Sequence, residues 1–470
     1  EVALRLWLLG ARTEALLSSP WQALAPIFFL TYMFASGLLF YLSEQSLPGR
    51  LKIFLNIIHL LVTFAIAAII YPLGFGFDAF VHRATETWIF KYGAIFPKPP
   101  YYIGQYSLVV WLGHLTQIPL FYIDVYLVPI LSALALPTVL TYTLKRAFDI
   151  KTAYAPLFIW AIPFIPFLSL HLTTPHNLAL LISILIIFYS FGYLKDNLSG
   201  LILFALGVSA LSTHPLVGAP IFIFTLSVIG LKKFTNKKIL QAFIGSVSLL
   251  LISLSLPLMF IVNNLRAGLG LPFLVNPLTK INTFFDLFSR PYWYADKSPI
   301  IFELLYAWQA LLAPMVIILA ILGFVLFQKK FKAAGFFIFL ATAFSFVLGA
   351  WLLKSWIVFP DVVSYEQSDF PLRLAKASLI FLLPFFAYLL YLVKKRLENK
   401  KLYSGLALIL IAGALMLSFY LSYPQRNLKA RFPGKNITVS DFRAVDWIHR
   451  QSDQYDYIVL ANQLVSAAAL

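Results

Sequence analysis

Leu379-Ile-Phe-Leu-Leu-Pro384-Phe-Phe-Ala-Tyr388-Leu-Leu-Tyr-Leu-Val393 runs without a single charge and then meets Lys394-Lys-Arg396. A helix needs about 20 mostly apolar residues to cross a bilayer, and this run with the few residues before it supplies them. Runs of the same kind recur along the chain, near 24–42, 54–72, 121–141, 152–172, 177–194, 199–213, 216–231, 239–262, 304–327, 333–353, 374–393 and 403–422. The fold class expected is therefore an all-α polytopic membrane protein of about twelve spans. Residues 1–20, with Arg5, Arg12 and Glu14 among leucines, read as an interfacial amphipathic helix or the tail of a lost span.

Composition agrees with that reading. Of 470 residues, 61% are hydrophobic and only 12% charged, where a soluble domain carries roughly a quarter charged residues. The mean hydropathy is +0.85. These figures exclude a soluble enzyme, a disordered chain and a nucleic-acid-binding module, despite a net charge of +17. The absence of Cys excludes a disulfide or thiolate-metal framework. No Gly-rich phosphate loop or cytoplasmic nucleotide domain is present, which argues against an ATP-driven pump.

Basic residues in short loops stay cytoplasmic. They concentrate in the connections at 50–52, 145–151, 195, 232–238, 329–332 and 394–401. The long connections 73–120, 263–303 and 354–373 then fall outside, as does the tail. The expected division is a transmembrane domain over 1–422 and, over 423–470, the truncated start of a soluble extracytoplasmic domain. In that tail, Phe442 to His449 reads as an amphipathic helix capped by Ser440 or Asp441, and Tyr457 to Ala461 as a buried strand of an α/β unit. Asn436-Ile-Thr438 has the form of a glycosylation sequon, a triplet that chance also produces.

The first outer loop carries the most chemistry. In Gly74-Phe-Gly-Phe-Asp78-Ala-Phe-Val-His82-Arg83-Ala-Thr-Glu86-Thr-Trp88-Ile-Phe-Lys-Tyr92-Gly93, the residues Asp78, His82 and Glu86 fall at i, i+4 and i+8. On a helix they share a stripe that drifts by roughly 40° per step. Phe80, Val81, Ala84, Trp88 and Ile89 form an apolar flank suited to lying on the membrane, and Gly93 suits the helix end. A proline-rich segment leads to Tyr101 and Tyr102, and a second apolar helix, Ser107 to Leu115, returns to the bilayer. Two carboxylates and an imidazole on one stripe can bind a divalent cation, relay a proton or furnish a general base. Spacing alone is met more often by an interfacial helix with a solvated face.

This loop, set in a polytopic chain, resembles that of the GT-C glycosyltransferases, among them oligosaccharyltransferase catalytic subunits, protein mannosyltransferases and lipid A aminoarabinose transferases. The residue match is confined to roughly 74–120 and a few later points. The resemblance implies an enzyme that takes a sugar from a polyprenyl-phosphate-linked donor and passes it to an extracytoplasmic protein, glycan or lipid acceptor. It implies Asp78 as catalytic acid, base or metal ligand, with His82 and Glu86 beside it. The oligosaccharyltransferase-like members carry a second acidic motif in their second outer loop. Here that loop reads His171-Leu-Thr-Thr-Pro175-His176-Asn177 and holds no acid, which points to monosaccharide transfer. An additional span also precedes the usual first one.

Other outer residues can complete such a site. His171, His176 and His214 lie at span ends, where imidazole suits a metal or a diphosphate. Glu366, Asp369 and Arg373 lie close together before a span, and Arg can clamp a phosphate. Arg83, Arg373, Glu366, Asp369, His214, His176, Tyr101 and Tyr102 are the expected substrate contacts, with Lys376 near the phosphate. Asp78 and Glu366 are the candidate ligands if a divalent cation, Mg or Mn, takes part. Arg266, Lys280, Arg290 and Tyr292-Trp-Tyr294 suit a lipid headgroup, a sugar or an aromatic belt equally. The alternatives are a transporter or flippase of an amphiphilic substrate, and a non-catalytic scaffold subunit.

Overall fold

A computed structural model describes residues 1–95, 101–147, 150–151, 154–196, 198–287, 300–332, 334–358, 364–423, 436–451 and 458–468. The chain is a helical membrane protein. Among the described residues, eight helices are long and apolar enough to cross a membrane, or nine if one bent pair counts as a span.

The chain opens with a short helix, α1 (Val2–Gly10), whose Leu4 and Leu8 are buried, and then α2 (Ile27–Glu44). The apolar stretch expected at 54–72 is broken: α3 (Gly49–Phe64) stops at Ala65, and α4 (Ile66–Ile70) restarts after it. Two helices follow in the first long connection, α5 (Phe77–Tyr92) and α6 (Ile103–Thr116), before the long α7 (Leu120–Ala147). Among the described residues of the run at 152–172, one short α-helix forms, α8 (Ala155–Trp160), followed by turns and a single 3-10 turn at Pro166–Leu168. Pro163 and Pro166 follow α8 closely, and a helix cannot continue normally through such positions.

Beyond it lie α9 (Pro175–Lys195), the short α10 (Gly200–Thr213), α11 (Pro215–Lys233) and α12 (Lys238–Arg266). Then come α13 (Ile300–Phe331), α14 (Phe337–Ser355), α15 (Ser364–Ala377), α16 (Leu383–Leu397) and α17 (Lys401–Tyr420). The run at 374–393 is the bent pair: the chain turns by 44° between Phe381 and Leu383, next to Pro384.

Extensive helix packings join both chain neighbours, such as α10 with α11, and more distant pairs, such as α12 with α14 and α13 with α16, and two further closures shape the bundle. α17 packs along α2, where Tyr32 stacks on Phe419 with ring centroids 3.9 Å apart and Trp21 donates its indole N–H to the Tyr420 carbonyl at 2.8 Å. At the other closure, the connections after α12 and α14 are joined by a short antiparallel pair. It consists of β1 (Phe273–Leu274) and β2 (Ile357–Val358). Large apolar side chains remain on outward helix faces, such as Leu406, Ile409 and Leu410 of α17. Their placement suits contact with lipid tails.

The tail departs from expectation in three respects. Its first helix, α18 (Val439–Arg450), is capped by Thr438, and Asp441 sits at the third helical position to complete a capping box. Residues 458–461 form no strand, and Ile458 and Leu460 are almost fully exposed. Tyr457 lies outside the described residues, and the last helix is α19 (Gln463–Ala468). Asn436 of the sequon is buried, accepting from the Leu17 N–H and donating to the Ala15 carbonyl, so its amide is already engaged.

Close helix crossings depend on glycine. A Cβ at Gly323 of α13 would stand 2.0 Å from the Phe385 carbonyl oxygen of α16, whereas one at Gly405 would meet nothing within 4 Å. Gly323→Ala should therefore destabilise the detergent-solubilised protein by about 1–3 kcal/mol through overpacking. Gly405→Ala should leave the melting temperature unchanged or raise it, and equal melting of the two variants would refute this crossing.

Candidate functional site

α5 begins where two glycines turn the chain. Gly74 has φ 101° and Gly76 φ 98°, which other residues adopt only with strain. A Cβ at Gly74 would lie 2.8 Å from an Arg83 guanidinium nitrogen, so the bare backbone also makes room for that side chain. The helix ends at Gly93, left-handed at φ 70°. Within these limits the expected stripe forms but runs from surface to interior. Asp78 is exposed, His82 half-buried and Glu86 fully buried. Eight residues at 1.5 Å each place Glu86 about 12 Å along the axis from Asp78.

The apolar flank splits in the same way. Phe80 and Ala84 turn inward, and Phe80 packs with Ile437 and Leu464, so the tail covers this side of α5. Trp88 faces outward.

Arg83 is held by the protein itself. Its Nε donates to Asp124 Oδ2 at 2.8 Å, Nη1 donates to the Leu73 carbonyl at 3.3 Å, and the guanidinium lies over the Phe80 and Phe121 rings. Asp124 sits one turn into α7 and is buried. Glu86 accepts from Gln105 Nε2 at 2.8 Å and lies within hydrogen-bonding reach of Asp124. Glu86 Oε2 and Asp124 Oδ1 are each buried without a donor. One proton between the two carboxyl groups satisfies both atoms. Burial, and then the Asp124 charge, push the Glu86 carboxyl well above the ordinary carboxylate range. Glu86 is thus a buried, protonated acid that ties α5 to α6 and α7, and Arg83 is engaged rather than open to a phosphate.

Asp78 faces a different group of side chains. Tyr102, left-handed at φ 65° at the start of α6, stacks on His214 at 5.3 Å and meets His82 edge-on at 5.4 Å. His82 Nδ1 lies 2.8 Å from the Tyr106 hydroxyl. His176 meets His214 at 5.1 Å. Burial and then Asp78 raise the Tyr102 phenol pKa, while Arg373 opposes them, so a carboxylate and a guanidinium from distant parts of the chain act on one phenol. Burial, followed by His176, His82 and Arg373, holds the His214 imidazole well below the usual histidine range, so it is neutral at physiological pH. Its Nδ1 is buried without a partner.

The structure thus gathers Asp78, His82, Tyr102, His176, His214 and Arg373. Tyr101 instead hydrogen-bonds to Asn263. His171 packs on Tyr423 and lines a small cavity with Arg83 and Asp124. Glu366 and Asp369 fall within α15, but their side chains, like Asp361, Arg290 and 292–294, lie outside the described residues. No group of three or more His, Asp or Glu among the described residues is arranged to hold a metal ion. A hard divalent cation favours clustered carboxylate oxygens. Glu86 is turned inward, and the side chain of Glu366, the other candidate ligand beside Asp78, lies outside the described residues.

Sequence reasoning passed over Asp124, Gln105 and Tyr106. The first had a signal: a lone ionisable residue inside an apolar span is costly and calls for a partner. No protein-family model matches the chain, and no curated protein matches it.

Folding raises the Glu86 pKa, so the native state holds this proton more tightly than the unfolded chain. That adds stability at low pH, and the contribution is lost as pH rises above about 4.5 toward the folded value. The melting temperature should fall from pH 5 to pH 8 more steeply in the wild type than in Glu86→Gln, whose amide is neutral throughout. Parallel slopes would mean that Glu86 does not carry the proton.

Proposed function

We propose that the chain is an integral-membrane glycosyltransferase of GT-C type that moves a sugar from a polyprenyl-phosphate donor to an extracytoplasmic acceptor. The observation that carries this reading is the cluster of Tyr102 with His82 and His214, on whose phenol a carboxylate, Asp78, and a guanidinium, Arg373, both act. On this reading Asp78 takes the proton of an acceptor hydroxyl as its oxygen attacks the anomeric carbon. The bond from that carbon to the lipid phosphate breaks on the opposite side, inverting the configuration. Arg373, with Lys376, receives the charge that builds on the departing phosphate. The neutral His214 can donate a hydrogen bond there, and Tyr102 with His82 orients the reactants.

The finer architecture belongs to the same proposal. The twelve crossings comprise the eight long helices, the bent α15–α16 pair, α10, the broken α3–α4 segment and the proline-interrupted 152–172 run. The long connections and the tail face outward, and the tail opens a soluble domain. The end bearing Asp78 is extracytoplasmic, as the basic loops at the opposite end support. One observation favours transport instead: a buried acid, Glu86, linked to Asp124, which lines a small cavity.

Purified protein given a radiolabelled polyprenyl-phosphate sugar and acceptor should lose at least about 100-fold in transfer rate on Asp78→Asn, the scale of a general base. Folding should be unchanged, since Asp78 is exposed. Undiminished transfer would refute the role of Asp78. Loss of substrate flux in liposomes on Glu86→Gln, with Asp78→Asn silent, would favour the transporter.

A further inference from the structure

The end of the bundle opposite Asp78 holds a cavity of its own. From His176, in the candidate site, to Leu194, at this cavity, α9 runs 18 residues, about 27 Å at 1.5 Å each. Three basic connections that are far apart in sequence meet here: the ends of α9, α11 and α13. The space measures about 660 Å³ and is lined by Lys232, Lys238 and Lys332, with no carboxylate among its lining residues.

The lysines are not equivalent. Lys232 donates to the carbonyls of Leu194 and Asp196, both at 3.2 Å, and so closes the end of α9. Lys238 and Lys332 are exposed, and among the described residues neither side chain has a hydrogen-bond or ion-pair partner.

Polarity changes along the cavity. On α12 its lining residues Lys238, Gln241, Ala242 and Gly245 share one helix face, from a cation at the first residue to a bare backbone about 10 Å deeper. Ile338 and Ala341 of α14 line it as well. A Cβ built on Gly245 meets nothing within 4 Å, so this part of the groove is unfilled by protein. A cationic rim above an apolar slot matches an amphiphile with an anionic head. Basic pockets between transmembrane helices on the cytoplasmic side suit phospholipid headgroups.

We propose that this cavity binds one anionic diacyl phospholipid, its phosphate at Lys238 and Lys332 and one acyl chain along Gly245, Ile338 and Ala341. It is a resident of the leaflet opposite Asp78, separate from any substrate handled there, and the inference is independent of the reaction proposed above.

Native mass spectrometry of the full chain, titrated with phosphatidylglycerol and phosphatidylcholine, tests this. One phosphatidylglycerol should remain bound with roughly tenfold or greater preference over phosphatidylcholine. Lys238→Gln/Lys332→Gln should abolish that preference. Gly245→Leu, which fills the slot without touching the charges, should weaken phosphatidylglycerol at least tenfold with folding intact. Equal binding of the two lipids, or wild-type affinity in either variant, would overturn the proposal. So would full displacement by glycerol phosphate, which would reveal a phosphate site alone, or stronger binding of a polyprenyl phosphate, which would reveal a donor site.

Discussion

A half-buried guanidinium paired with a buried carboxylate, Arg83 on α5 and Asp124 one turn into α7, forms the constraint on which the Asp78 end of the molecule depends. Neither charge can stay in an apolar surround alone, because desolvation costs several kcal/mol per ion. Their pairing fixes α5 against the bundle. Glu86 adds a shared proton and a bond to Gln105, bringing α6 into the same network. Gly74 leaves space for the guanidinium, and Phe80 and Phe121 cover it. With the inner end of α5 locked, the drift of its stripe leaves Asp78 at the surface and His82 between the two environments. The same helix therefore carries a structural acid at one end and a reactive candidate at the other.

That division explains what could be read from sequence and what could not. Periodicity and Gly93 located α5 closely, since an amphipathic stripe and a left-handed stop are local properties. The second helix starts at Ile103, earlier than its apolar run, because Tyr102 adopts a left-handed conformation that no local pattern announces. Most spans fell where apolar runs lay. The breaks at Ala65 and across 152–172 escaped, because hydropathy registers length and not continuity. The convergence of His176 and His214 on Tyr102 and the pairing of β1 with β2 join residues far apart in the chain. Which residues of a stripe are open and which are buried is decided by neighbouring elements, so Glu86 and Asp78 looked alike until α6 and α7 were in place.

Charge in this chain has two meanings at its two ends. At one end, Arg83, Asp124 and Glu86 are linked to one another, while His82 and His214 pack on Tyr102. At the other, lysines accumulate in short connections, where positive charge orients a membrane protein. Bundle packing brings three of these connections around a single cavity, so a signal of orientation also creates a local field. The basic excess of the composition thus acquires a location.

On the proposed reading, the chemistry belongs to the group formed by Asp78, Tyr102, His214 and Arg373. Cryo-electron microscopy of the full chain with a bound polyprenyl phosphate tests this most directly. The account predicts phosphate density contacting Arg373 and His214, with the Asp78 carboxylate on the side from which an acceptor enters. Phosphate density at the lysine-lined cavity alone, or at any position out of reach of Arg373, would contradict it.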